Sequence, residues 1–254
     1  MSGHSKWATI HRQKETTDAK RGQVFTKLGR AIIAAVRTGG GVIDPNTNFK
    51  LRLAIEKAKQ FNMPKANIER AVQHGAGKDE GSGLEEIVYE GYGPEGIAVL
   101  VEVATDNKQR TGQEIKNLFE KGGGSLAGPG AVNYQFSSMG YLVIEKPQNA
   151  EEAVLKLIDF GAEDVEETEK EIEIYVKPDQ MEEMRKKIQE EGFNLKSFEL
   201  TMKPKNILEI NNKEKVSRVL NFMSKLEEQD DVQKVFANFD IPQEIVEQIV
   251  QSTD

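Results

Sequence analysis

Apolar residues in the first third of the chain recur with the period of an α-helix. Over Thr16–Thr38 they are spaced three and four apart, which places them on one stripe of a helix. The members of this stripe are Val24, Phe25, Leu28, Ile32, Ala35 and Val36. The same spacing predicts a second helix over residues 50–61 and a third over residues 64–75, where a proline occupies the first turn. The pattern therefore predicts a small bundle of three helices.

Beyond a glycine-rich linker at residues 75–83, the sequence contains short runs of residues typical of β-strands. They predict a β-β-α-β unit, in which a glycine-rich loop follows the helix Lys108–Lys121. We expect this loop to be a flexible connection. The strands of the unit are predicted at Glu85–Tyr92, Ile97–Ala104 and Val132–Phe136.

Residues 139–204 predict six elements in the order β-α-β-β-α-β, which is the plan of a ferredoxin-like domain. The helix Lys213–Glu228 and the strand Val232–Phe239 then supply the α-β pair that the first unit lacks. The predicted fold class is α+β multidomain, with an N-terminal three-helix bundle followed by two α/β (ferredoxin-like) domains, one inserted in the other. The predicted domains are a basic helical domain with an N-terminal arm (1–78), a discontinuous middle α/β domain (84–138 plus 205–242), the inserted domain (139–204) and a C-terminal helix or tail (243–254).

Net charge is distributed unevenly along the chain. The whole sequence carries 34 lysine and arginine residues against 42 aspartate and glutamate residues, a formal net charge of -8. Residues 1–78 hold 15 of the basic and 5 of the acidic residues, a net of +10, which leaves 19 against 37, a net of -18, for residues 79–254. A basic segment attached to an acidic remainder is typical of a protein that binds a polyanion through one end.

The composition excludes several functional classes. The sequence has no cysteine, which rules out disulfides, thiolate nucleophiles and cysteine-ligated metals. Its histidines lack the spacing of a metal site and no serine is set beside a plausible base, so we expect no catalytic residue, no metal and no cofactor. No apolar run approaches the roughly 20 residues that span a bilayer, and the start of the chain is not a signal peptide. We therefore expect a cytoplasmic, non-enzymatic protein that binds neither a membrane nor a small-molecule substrate.

The N-terminal arm interleaves cations with the single tryptophan of the sequence. Around Lys6, Trp7, Arg12 and Lys14, positive charges can neutralise phosphates while the ring stacks on a base or ribose. The alternative for Trp7 is burial against the bundle, and the sequence leaves both open. The first predicted helix adds a basic side, opposite its apolar stripe, that we expect to face solvent or phosphate. The cations that extend the nucleic-acid-binding surface are Lys20, Arg21, Lys27, Arg30 and Arg37.

A second contact patch is predicted where the second strand of the middle domain leads into its helix. There Asn107 and Arg110, together with Tyr92 and the nearby glycine loop, supply polar groups for a nucleic acid. The competing interpretation is structural, because Thr105 or Asp106 is also suited to cap the helix by accepting backbone hydrogen bonds.

Several motifs together resemble the YebC family of bacterial proteins, over essentially the whole chain. Among them are Gly3-His4-Ser5-Lys6-Trp7, Lys20-Arg21-Gly22, Asn62-Met63-Pro64, Tyr89-Glu90-Gly91-Tyr92-Gly93-Pro94, and Thr105-Asp106-Asn107 with Arg110-Thr111. Ala31, Gln109 and Pro129 depart from the family pattern, which weakens the transfer of residue roles at those positions. The resemblance implies a three-domain, non-enzymatic protein labelled a DNA-binding transcriptional regulator. It also implies a place on the ribosome during translation, and the family's mitochondrial relatives are translational activators of cytochrome c oxidase.

Two functional hypotheses stay open from the sequence. In the first, the basic end binds duplex DNA and regulates transcription. In the second, it binds ribosomal or messenger RNA, or the ribosome itself, and assists protein synthesis. Both need cations near phosphates, which give affinity with little sequence discrimination. The lack of an evident base-reading helix favours RNA on physical grounds, whereas the family label favours DNA.

Overall fold

The computed structural model describes residues 18–77 and 83–245, with side chains from residue 22 onward in the first helix. Four predicted contact residues lie entirely outside the described residues: Lys6, Trp7, Arg12 and Lys14. For two more, Lys20 and Arg21, the backbone is described but the side chain is not. No helix within the described ranges is both long and apolar enough to cross a membrane.

Three helices come first, and strands and helices follow. Among the described residues the helices are α1 (Asp18–Thr38), α2 (Phe49–Gln60), α3 (Lys65–Ala76), α4 (Lys108–Lys121), α5 (Ala150–Asp159), α6 (Met181–Glu190) and α7 (Lys213–Glu228). The strands are β1 (Glu85–Tyr92), β2 (Ala98–Thr105), β3 (Ser125–Ala127), β4 (Phe136–Glu145), β5 (Asp164–Glu167), β6 (Glu171–Val176), β7 (Leu195–Pro204), β8 (Leu208–Glu209), β9 (Val232–Ala237) and β10 (Phe239–Asp240). Residues 243–245 are helical, and the rest of the predicted C-terminal helix or tail lies beyond the described residues.

The helices α1, α2 and α3 pack around an apolar core of their own. Ile32 and Leu51 are fully buried in it, as their helical spacing predicts. Asn48 ties the turn between α1 and α2, because its side chain accepts a hydrogen bond from the Leu51 amide at 3.1 Å and donates to the Ala35 carbonyl at 2.9 Å. Gly39 lies so close to this side chain that a β-carbon would clash with it. The end of α1 therefore requires glycine.

The middle domain is a four-stranded antiparallel sheet in the order β3-β1-β2-β9. Strand β9 pairs along β2, with Leu100 opposite Phe236, so two distant segments of the chain complete one sheet. Helices α4 and α7 cover one face, where Phe119 meets Phe222 edge to face with 5.2 Å between ring centroids. Helix α7 and strand β9 therefore belong to the same domain as β1, β2 and α4.

The inserted domain is a second antiparallel sheet, in the order β5-β6-β4-β7. Numbered along the chain, its strands lie in the order 2-3-1-4, so the first and third occupy the centre, as in a ferredoxin-like domain. Helices α5 and α6 pack on the sheet, and Leu142, Leu157 and Ile174 are fully buried between the layers. The predicted fold class is confirmed.

One predicted strand, Val132–Phe136, is wrong. Residues 133–135 form a turn of 3-10 helix, and β4 starts at Phe136 and runs without a break past the predicted start of the inserted domain. The edge strand of the middle sheet is instead β3, which pairs with β1 beside Gly91. A β-carbon on Gly91 would lie 2.6 Å from the Ser125 carbonyl oxygen, so this close pairing depends on glycine.

A buried carboxylate orders the end of the predicted glycine-rich loop and the turn that follows it, so this part of the loop is not the flexible connection that the sequence predicts. Glu90 accepts hydrogen bonds from the backbone amides of Gly130, Val132 and Asn133 at 2.6–2.8 Å. Burial by itself raises a carboxylate pKa, but the three amides stabilise the charge and hold the pKa of Glu90 below its ordinary value. Because the Val132 amide bonds to this side chain, it cannot also serve a strand pairing.

Replacing Glu90 by glutamine should lower the free energy of unfolding by about 1–3 kcal/mol, because one buried loop amide loses its acceptor. Amide hydrogen exchange at Gly130, Val132 and Asn133 should accelerate in the same variant. Glu85→Gln, at an exposed position of β1, is the matched control and should change stability by less than about 0.5 kcal/mol. Unchanged exchange at the three amides would contradict the role of Glu90.

Candidate nucleic-acid interface

The basic bundle meets the middle domain at one buried carboxylate, Asp231, which lies between α7 and β9. Its side chain is 2% exposed and pairs with Arg30 of α1, whose guanidinium also donates to the Asp230 carbonyl at 2.7 Å. From the other side, Arg110 of α4 donates to Asp231 at 3.0 Å and to Asp106 at 2.8 Å. One carboxylate thus joins the bundle to the first turn of α4.

Two threonine hydroxyls complete the surroundings of Asp231. Thr111 donates its single hydroxyl proton to the carboxylate at 2.6 Å, so its oxygen accepts from the Thr105 hydroxyl at 2.7 Å. Thr105 in turn accepts a hydrogen bond from the Asn107 amide at 3.0 Å. The hydroxyls therefore form a directed chain of hydrogen bonds that ends on Asp231.

Asp231 is ionised at neutral pH in spite of its burial. Burial by itself raises its pKa, but the hydrogen bonds from Thr111 and Arg110 and the positive charge of Arg30 outweigh this and hold the pKa below its ordinary value. A buried charge is tolerated only with its partners, since an unpaired one is strongly destabilising. Arg30 and Arg110 are therefore partners that the fold itself requires.

Lys27, one turn before Arg30 on α1, also turns toward the middle domain. Its ammonium donates to the Glu227 carbonyl in the last turn of α7, where carbonyls lack helical partners. Burial lowers the pKa of Lys27, against the opposing effect of the Glu227 and Asp230 carboxylates. The expected solvent-facing position of Lys27 and Arg30 is thus replaced by contact with the acidic part of the same chain, because that part supplies the counter-charges.

Three cations of α2 make similar contacts with the two α/β domains. The pairs are Lys50 with Glu86 at 3.4 Å, Arg52 with Glu182 at 3.5 Å, and Lys57 with Glu199 at 3.0 Å. Each is partly exposed and contributes about 0–1 kcal/mol to stability, yet the positive charge is neutralised locally. With Lys27 and Arg30 of α1, five cations of the bundle thus contact the acidic domains of the same chain.

A cleft of about 780 Å³ lies between the bundle and the two sheets. Its lining is mostly apolar and includes Leu28 and Val103. Glu102 also lines it, and burial raises the pKa of this carboxyl. The bundle has a core of its own and reaches the core of the inserted domain through Phe49 and Leu53. The bundle is therefore attached through apolar contacts as well as through the ion pairs around the cleft.

Other cations of the bundle face solvent. Lys59 at the end of α2 and Arg70 on α3 are exposed, and neither forms an ion pair within the described part of the chain. Lys65 is 89% exposed and lies 3.7 Å from Glu69, one turn away on the same helix. Arg37 is half-buried and has a partner within the chain. The exposed charges are the part of the described bundle that an external polyanion can reach.

Two members of the predicted second patch, Asn107 and Arg110, are exposed, but their side chains make hydrogen bonds within the protein. Asn107 is the N-cap of α4 and accepts a hydrogen bond from the Arg110 amide at 3.0 Å. The prediction that Thr105 or Asp106 supplies this cap is therefore wrong, because Thr105 is engaged in the hydroxyl chain. Arg110, whose charge opposes the dipole at a helix start, is held there by Asp231 and Asp106.

Tyr92, the third member of that patch, is half-buried, and its hydroxyl donates to the Ala131 carbonyl at 3.3 Å. Sequence reasoning missed the two residues that organise this region, Glu90 and Asp231. Each is one acid among 42, and its partners are distant in sequence. The available signal was slight: Glu90 lies within a strand, where a glutamate is less favoured than a β-branched or aromatic residue.

The fold and this interface define a three-domain protein in which a basic helical domain is fastened by ion pairs to two acidic α/β domains. Within residues 18–77 and 83–245, no group of three or more histidine or acidic side chains is placed to hold a metal ion. The family model for the TACO1/YebC protein N-terminal domain matches residues 5–78, and the model for the TACO1/YebC second and third domain matches residues 84–239. The chain belongs to the TACO1/YebC family, as its motifs predict.

Relatives match along nearly the whole chain. A probable transcriptional regulatory protein from Thermoanaerobacter pseudethanolicus is 46% identical over 246 residues, which cover 96% of this chain and 99% of the relative. A protein of the same name from Persephonella marina is 45% identical and covers 98% of this chain and 100% of the relative. The crystal structure of a conserved hypothetical protein from Aquifex aeolicus, 43% identical, superposes with a TM-score of 0.81 and covers 91% of this chain and 94% of that chain.

Asp231→Asn should lower the free energy of unfolding by about 2–4 kcal/mol, because an amide cannot balance Arg30 and Arg110 and places a donor against Thr111. Chemical denaturation measures this loss. Asp230→Asn is the matched control, since its exposed side chain changes while the carbonyl that Arg30 uses is kept. Equal stability of the two variants would show that Asp231 does not have this role.

Acid should weaken the same contacts. A carboxylate with a depressed folded pKa contributes stability above its unfolded pKa of about 4, and this contribution is lost as the pH falls through the lower folded value. Because the pKa values of Asp231 and Glu90 are both depressed, the free energy of unfolding should decline as the pH drops below about 5. Asp231→Asn should show a shallower decline. An identical pH profile in the variant would contradict the pKa direction assigned to Asp231.

Proposed function

We propose that this protein is a non-enzymatic, cytoplasmic regulator of gene expression that binds nucleic acid through its basic N-terminal domain. The names of its relatives support the regulatory part, since they are called probable transcriptional regulatory proteins. The nucleic-acid part is carried by one observation: the bundle has more cations than its ion pairs with the acidic domains neutralise. The proposed function needs no cofactor, membrane or small-molecule substrate.

The excess of positive charge is substantial. Residues 18–77 contain 11 lysine and arginine residues against 4 acidic ones, and residues 1–17 add 3 cations against 1 acid. Five cations are directed at the acidic domains, and Arg37 has a partner within the chain. The cations that remain are Lys6, Arg12, Lys14, Lys20, Arg21, Lys59, Lys65 and Arg70. We propose that this set binds phosphates and that Trp7 stacks on a base or ribose beside them. Such contacts give affinity with little sequence discrimination.

Transcription is the function that the relatives' names indicate, with duplex DNA as the target. A helix that reads bases must lay exposed side chains in the major groove. Helix α1 cannot use Lys27 and Arg30 for this purpose while the middle domain holds them. Helix α3 presents exposed polar side chains, including Arg70, Gln73 and His74. In this version of the proposal, α3 is the helix that meets the groove.

The alternative is binding to ribosomal or messenger RNA, or to the ribosome, in support of protein synthesis. The observation that favours it is the dispersion of the remaining cations. They come from the N-terminal arm, the start of α1, the end of α2 and α3, and not from one face of one helix. Dispersed cations suit a folded RNA, whose phosphates do not follow a regular groove and whose recognition depends on shape.

The two targets are separated by cosedimentation with ribosomes at physiological salt, compared with binding to promoter-containing and random duplex DNA. Saturable ribosome binding, with equal and salt-labile affinity for both DNAs, would contradict the transcription version. A tight, sequence-dependent DNA complex without ribosome binding would contradict the translation version.

For either target, the double variant Lys59→Gln/Arg70→Gln should weaken binding. The slope of log K against log salt should fall by about two, about one for each phosphate that the variant no longer neutralises. The control is Lys186→Gln/Lys225→Gln, which removes the same charge from exposed positions in the acidic half. Thermal unfolding should be alike in both variants. Unchanged affinity and slope in the first variant would contradict phosphate binding by these two residues.

A further inference from the structure

The acidic half of the molecule contains two stretches without acidic residues. Residues 79–254 carry 37 acids in 176 positions, so a stretch of 24 residues would hold about five, yet residues 121–144 hold none. Residues 200–208 also lack aspartate and glutamate, and they include Lys203 and Lys205. The negative charge of most of this half repels a nucleic acid, whereas the two stretches themselves carry no acidic side chain.

The two stretches meet at the end of the glycine-rich loop. The Lys205 amide donates to the Gln135 carbonyl at 2.8 Å, and the Lys205 ammonium donates to the Tyr134 carbonyl at 2.9 Å. The side chain of Tyr134 is 65% exposed, the same as the most exposed large apolar residue elsewhere in the described chain. The exposed residues at this place form what we call the loop surface: Asn133, Tyr134, Lys205, Asn206 and Ile207.

Hydrogen bonds to the middle domain anchor the segment that carries Tyr134. Glu90 binds the amide of Asn133, immediately before Tyr134. On the other side, Asn238 donates to the Gln135 side chain at 3.3 Å and accepts from the Ala98 amide of β2 at 2.7 Å. The backbone on both sides of the exposed ring is thus anchored to the central sheet. A ring presented in this way loses little conformational freedom when a ligand stacks on it.

We infer that the loop surface is a second contact site for nucleic acid, where Tyr134 stacks on an unpaired base and Lys205 binds the adjoining phosphate. An exposed aromatic ring beside a cation is the chemistry by which proteins bind single strands without reading sequence. The inference rests on the proposed function and extends it. The N-terminal bundle supplies the main electrostatic contact, and the loop surface accepts single-stranded bases at a separate place on the molecule.

The test uses the full chain and two labelled single strands of about 12 nucleotides, oligouridine RNA and its DNA equivalent. A labelled duplex of the same length is the third probe. Tyr134→Ala should weaken single-strand binding by about 5- to 150-fold and leave the salt slope unchanged, because a stacking contact carries no charge. Tyr134→Phe should bind like the unaltered protein. Lys205→Gln should lower the salt slope by about one. Duplex binding should be insensitive to Tyr134→Ala, since paired bases cannot stack on the ring.

Leu155→Ala is the matched control, because Leu155 is also 65% exposed but lies on α5 of the inserted domain. If Tyr134→Ala binds the single strand as tightly as this control does, the loop surface is not a contact site. The proposed function would survive that result as long as Lys59→Gln/Arg70→Gln still weakens binding. Failure of the unaltered protein to bind either single strand would overturn this inference. The proposed function would be overturned only if the protein also bound neither duplex DNA nor ribosomes.

Discussion

The position of the helical bundle against the middle domain depends on the burial of one charged side chain, Asp231. Its carboxylate is almost inaccessible to water, so its charge must be balanced by groups of the protein. Those groups come from α1 of the bundle, through Arg30, and from the first turn of α4, through Arg110 and Thr111. Separating the bundle from the middle domain would leave this charge undercompensated. The position of the bundle is therefore coupled to the contact between the first turn of α4 and Asp231, just before β9.

The same electrostatics divides the cations of the bundle into two groups. One group, exemplified by Arg30 and Lys27, neutralises the acidic domains of the same chain. The other, exemplified by Lys59 and Arg70, faces solvent. The net charge of +10 in the N-terminal segment therefore overstates what an external polyanion can engage. An acidic remainder of the chain is consistent with nucleic-acid binding because part of its charge serves to hold the basic domain.

The helices and the ferredoxin-like order could be predicted because each depends on local periodicity. The Val132–Phe136 strand was wrong because the Val132 amide is taken by Glu90, from a strand about 40 residues earlier. Lys27 and Arg30 could not be assigned from their helix alone, since their partners lie about 200 residues further on. The family motifs gain physical reasons in the structure. Gly91 admits β3, and Thr105, Asn107 and Arg110 build the surroundings of Asp231.

The division of the cations is tested most directly by the salt dependence of nucleic-acid binding in Arg30→Gln. If Arg30 serves the fold, this variant should lose stability, while the slope of log K against log salt stays equal to that of the unaltered protein. If Arg30 instead binds phosphate, the slope should fall by about one and the free energy of unfolding should be unchanged. That second result would contradict the assignment of Arg30 to Asp231.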